Sequence, residues 1–115
     1  MFDFEKLIVY QKARSLNKDL YLKILKESQL DKDTRSQLTR AAGSIMLNIA
    51  EGSGRFTKRD KRHFYITARS SVFECVAILQ KIYDLKIITD SMYDMFYDQK
   101  EQISKMLYKM ISDLE

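Results

Sequence analysis

Not one proline interrupts the 115 residues, and only three glycines do, Gly43, Gly52 and Gly54. Proline and glycine are the residues that end helices and shape the turns between strands, so a chain almost without them has few places to reverse. Long helices joined by short connections satisfy that constraint, and a sheet of many short strands does not. The 31% of charged residues is interspersed with 45% apolar residues, a balance that supports a packed core and not a disordered chain. At this length the expectation is a single domain over residues 1–115.

Apolar spacing divides the chain into four helical segments. Val9, Ala13, Leu16, Leu20 and Ile24 recur at intervals of three or four, which predicts a first helix over residues 4–27 with one buried face. Asp31 or Asp33 suits the start of a second helix, over 34–51, and Gly52 or Gly54 its end, through a left-handed glycine. Thr57 with Asp60 three residues on is an acidic variant of a capping box and opens a third helix over 58–85. Thr89 or Asp90 opens a fourth, running to residue 114. The connections are too short to cross the molecule, so neighbours run antiparallel. The fold class expected is all-α, an antiparallel up-down-up-down four-helix bundle.

The second helix carries a polar ladder. Leu38, Ala42, Ile45 and Ile49 form its apolar face, while Gln37, Arg40, Ser44, Asn48 and Glu51 share a separate sector about 80° wide. On the third helix Thr67, Ser70, Glu74 and Lys81 collect in a sector of about 60°. An antiparallel pairing around Gly54 sets Arg40 level with residues 69–74. A structural polar network of Arg40, Ser44, Asn48, Glu51, Ser71 and Glu74 follows, with Arg40 and Glu74 expected to be at least half-buried, so that losing one strands the other. Such groups fix helix register at little net gain in stability. A ligand site on the same residues is the competing reading.

Catalytic chemistry finds few partners here. His63 is the sole histidine and Cys75 the sole cysteine, and neither falls in a spacing that makes a nucleophile with its base or a metal cluster. Gly52-Ser53-Gly54 precedes no lysine-serine or lysine-threonine and reads as a helix end, not a phosphate-binding loop. No catalytic residue, cofactor or metal site is expected. Met1 is followed within a few residues by Asp3, Glu5 and Lys6, and no window approaches 18 apolar residues, so a cytoplasmic protein that does not enter membranes is expected.

Charge is the remaining signal. The stretch 55-RFTKRDKR-62 holds five basic residues and one acid, which equals the net charge of +4 of the whole chain. Arg55, Lys58, Arg59, Lys61 and Arg62 are therefore the candidate nucleic-acid-binding residues. Phe56 and Tyr65 either stack on unpaired bases or, the preferred reading, anchor the loop in the core. On the fourth helix, apolar residues from Met92 to Leu114 spread over about 220° of the wheel, wider than one core needs, which implies a surface covered by another protomer.

The stretch 40-RAAGSIMLNIAEGSGR-55 closely resembles the signature of the four-helix bundle proteins encoded by intervening sequences of bacterial 23S ribosomal RNA genes. The segments 9-VYQKA-13 and 68-ARSSVFE-74 resemble that family's first- and third-helix motifs, with Ser70 where the family usually has glycine. The likeness reaches three of the four helices. It implies a homopentamer of bundles without known catalysis, and RNA binding. Related accessory proteins of diversity-generating retroelements associate with a reverse transcriptase. A non-enzymatic oligomer that binds RNA through the basic segment is thus the reading adopted, and a protein-binding adaptor or scaffold for a nucleic-acid enzyme such as a reverse transcriptase is the alternative.

Overall fold

The computed structural model describes all 115 residues. A short 3-10 turn at Asp3–Lys6 precedes four helices, α1 (Ile8–Lys23), α2 (Lys32–Ser53), α3 (Lys58–Asp84) and α4 (Asp90–Asp113). Leu7, in extended conformation between the turn and α1, explains why the first helix begins four residues later than its periodicity suggests. Each helix packs against its chain neighbours, α1 closes the ring against α4, and the backbones of the diagonal pairs stay apart across the shared core. The bundle measures 44 × 24 × 22 Å.

Caps set the boundaries. Asp31 accepts hydrogen bonds from both the amide and the hydroxyl of Thr34, at 3.0 and 2.6 Å. The hydroxyl contact comes first among the causes that hold its carboxyl below the usual aspartate value. Thr57 and Thr89 cap α3 and α4 by accepting from the amides of Asp60 and Met92. The glycine expectation fails at the end of α2. Gly54 there is right-handed, at φ −86°, and the residue with positive φ is Lys86, at 61°, in the turn after α3. Gly52 serves close packing instead: a Cβ placed on it would stand 2.7 Å from Cε1 of the buried Tyr65 ring.

The core is a column of fully buried side chains, among them Leu16, Leu20, Leu38, Ile45, Ile49, Leu79, Ile82, Phe96, Ile103 and Leu107. Burying side chains of this size stabilises by roughly 1.5–3 kcal/mol each. Much of the wide apolar arc on α4 is covered within the bundle itself, since Met92, Tyr93, Met95, Met106, Met110, Ile111 and Leu114 pack on this core. Tyr97 and Tyr108 remain exposed and adjoin Ile66 and Phe73, exposed on α3. One charged residue breaks the apolar pattern of the core. Lys100, between Phe96 and Ile103 on α4, has no exposed surface.

Candidate nucleic-acid interface

Polar contacts fix the register of α2 against α3. Lys81 donates to the Thr34 hydroxyl at 3.0 Å, Arg40 to Glu74 at 2.9 Å, the Ser44 and Ser71 hydroxyls lie 2.8 Å apart, and Lys61 donates to the Ser53 carbonyl at 2.7 Å. Position climbs along α2 as it falls along α3, as an antiparallel pair requires. Asn48 donates to both the carbonyl and the hydroxyl of Ser44, at 2.8 and 3.0 Å. Five of the six residues read as a network are thus in contact in pairs. Glu51 is not among them, because it is exposed at the end of α2 beside Arg55 and Phe56.

The Arg40–Glu74 pair is also shallower than the wheel implies. The arginine side chain is 64% exposed and the glutamate 40%, so the expectation of a half-buried pair is corrected for Arg40. Its sector lies at the edge of the α2–α3 contact, where a long side chain reaches its partner over the surface. A link that the pattern did not reveal joins α1 to α2: Asn17 donates to the carbonyls of Ala13 and Ala42, at 2.9 and 2.8 Å. Short polar side chains bridging to backbone leave no periodic trace in sequence.

The basic segment forms the corner between α2 and α3. Arg55, Lys58 and Arg59 are exposed, with the Arg55 guanidinium 4.4 Å from the centre of the Phe64 ring. Lys61 and Arg62 are half-buried and engaged. Lys61 caps the last turn of α2 through Ser53, where a cation meets the negative end of the helix. Arg62 pairs with Glu115 at 3.3 Å and so holds the end of the chain against α3. Tyr65 is buried, and burial raises its hydroxyl pKa. Phe56 is the reverse of an anchor: it is 102% exposed, at the corner beside the exposed cations Arg55, Lys58 and Arg59. That exposure overturns the expectation that it packs into the core: the buried Tyr65 fills the interior beside Gly52, and Phe56 stays in the connection between the helices.

His63 is exposed and lies edge-on to Phe64. No group of three or more His, Cys, Asp or Glu stands close enough to hold a metal ion, and no helix is long and apolar enough to cross a membrane. Cys75 is fully buried, and burial lifts its thiol to about 11, far from the thiolate that nucleophilic chemistry needs.

These features define an all-α bundle whose polar contacts fix helix register and whose excess charge stands at one corner. The chain belongs to the family of 23S rRNA-intervening sequence proteins, whose family model matches residues 5–109. Its fold is similar to that of a solved protein of unknown function from the S23 ribosomal protein family of Bacteroides thetaiotaomicron. The two share 22% identity with a TM-score of 0.85, over 90% of this chain and 98% of that one. No curated protein matches the chain.

Proposed function

We propose that this protein is a non-enzymatic, oligomeric bundle that binds single-stranded or loop RNA at the α2–α3 corner. The observation that carries the reading is the fully exposed Phe56 ring set among Arg55, Lys58 and Arg59. An apolar ring costs free energy in water, and here it stands beside cations that suit phosphates, so that an unpaired base can stack while the backbone is neutralised. The family's name, which ties it to intervening sequences of 23S rRNA, agrees with an RNA ligand. In a homopentamer, which the motif resemblance implies, the corner recurs five times and forms a positive rim. The cytoplasm is the compartment this reading requires.

Fluorescence titration of a labelled single-stranded RNA against salt tests it. Each neutralised phosphate of a single strand contributes about −0.7 to the slope of log affinity against log salt, so three cations give a slope near −2. Engagement of two or three protomers gives about −4 to −6. Changing Arg55, Lys58 and Arg59 to Gln should flatten the slope with helicity and mass unchanged, and Phe56→Ala should weaken binding while leaving the slope alone. Absence of binding at low salt would refute the reading. It would favour the adaptor alternative, for which the exposed Ile66, Phe73, Tyr97 and Tyr108 on α3 and α4 offer a protein-binding surface.

A further inference from the structure

Lys100 is the one charged side chain in the core, and its amine has no hydrogen-bond partner. Nζ lies 5.0 Å from the centre of the Phe96 ring one turn earlier. That ring face offers a cation a fraction of what a carboxylate would. Apolar positions precede and follow Lys100 on the same stripe, Phe96 and Ile103, so a leucine or methionine would complete the layer at lower cost. Buried ionisable groups without a structural partner mark functional sites when they adjoin a cleft.

Lys100 does adjoin one. It helps line a groove of about 470 Å³ between α3 and α4, walled by Val72, Phe73, Val76 and Tyr97. Three cations, Arg69, Lys100 and Lys105, border this groove against one acid, Glu101. Arg69 stands at its edge, 4.7 Å from the Phe73 ring centre and 5.4 Å from that of Tyr108, which lies outside the groove. Apolar walls, a surplus of positive charge and an amine lacking its counter-ion describe the complement of one ligand type. We infer that the α3–α4 groove binds a small apolar carboxylate, an aryl or alkyl carboxylic acid, whose body lies on Phe73 and Tyr97 and whose carboxylate supplies the missing partner of the Lys100 amine. The lysine's flexible stem lets the amine turn from Phe96 toward the groove without movement of the helix. This site is separate from the basic corner and does not depend on RNA binding.

Paired titrations of the intact protein with 2-naphthoate and its uncharged isostere 2-naphthamide, followed by NMR, provide the test. Naphthoate should bind at least tenfold more tightly, and its shifts should centre on Val72, Phe73, Val76 and the Lys100 side chain. Lys100→Met should bring the two ligands to equal affinity, and Lys105→Gln should retain most of the preference. The shift map of the unsubstituted protein decides the matter even if Lys100→Met fails to fold. Equal affinity for the two ligands, or shifts centred elsewhere, would overturn the inference. So would shifts at the groove that grow with protein concentration in the absence of ligand, since they would assign the groove to a second copy.

Discussion

Arg40 and Glu74 join α2 to α3 through two guanidinium–carboxylate contacts, of 2.9 and 3.5 Å, while both side chains keep much of their surface in water. Water screens that attraction and the long side chains lose rotamer freedom in making it, so the pair aligns the helices more than it holds them together. Ser44 and Ser71, deeper in the same interface, make a short bond between small side chains that lose little freedom.

Arg40→Ala should therefore shift the thermal midpoint far less than Ile45→Ala, which empties part of the core at a cost of about 2–5 kcal/mol. In a double-mutant cycle the Arg40–Glu74 coupling should be small and should shrink as salt is raised. A coupling that persists undiminished in 1 M salt, about a 3 Å screening length, would contradict the exposed geometry.

Gly52→Ala places a methyl group against the Tyr65 ring, 2.7 Å from Cε1. Alanine's better helix propensity, about 1 kcal/mol, opposes the clash. Tyr65 is buried and has little room to retreat, so the net effect should be a loss of about 1–2 kcal/mol in urea unfolding. Pairing the change with Tyr65→Leu should recover part of that loss.

Lys100 makes stability depend on pH in a direction unusual for a lysine. Burial lowers its pKa from 10.5 to about 8. Below pH 8 both folded and unfolded chains hold the proton, and the folded state bears the full desolvation cost, roughly 3 kcal/mol. As pH rises above 8 the folded chain gives up the proton first, so stability climbs, at most by about 1.4 kcal/mol per pH unit. Cys75 opposes this above pH 9, because burial lifts its thiol from 9.0 to about 11 and the unfolded chain ionises first. Urea titrations at pH 7, 8 and 9 should show the rise, and Lys100→Met should raise stability at pH 7 and abolish it.

Lys61→Gln and Arg62→Gln should be structural changes before they are binding changes. The first removes the cation on the last turn of α2, and the second releases Glu115. Hydrogen exchange should quicken at residues 50–54 in the first variant and at the end of α4 in the second, whereas Arg59→Gln should change neither. Identical exchange in all three would show the contacts to be absent in solution.

Periodicity made the helices and most of the core legible, because a buried stripe repeats every three to four residues whatever its neighbours are. The middle of the α2–α3 contact was legible for the same reason, in the Arg40–Glu74 and Ser44–Ser71 pairs, whereas the Lys81–Thr34 and Lys61–Ser53 bonds at its two ends were not. Depth was not, because a wheel gives a direction around the axis and no distance from the surface. The burial of Lys100 was not legible, since a single lysine on an apolar stripe reads as an interruption, and only three-dimensional packing shows that its amine never reaches water. Phe56 misled in the opposite sense. Aromatic residues default to the interior, and nothing local to the corner signals that this one stays exposed.

The antiparallel course of α1 against α4, pinned where Lys12 meets Gln102 and Asp19 meets Gln99, brings residues 1 and 115 to the same end of the bundle as the basic corner. A polyhistidine tag on either terminus would hang beside Arg55 and Phe56 and alter what that corner attracts. A circular permutant opened in the Leu85–Thr89 turn, with the old ends joined by a short linker, would move both termini to the far end. Purification handles could then be attached without touching the surface under test.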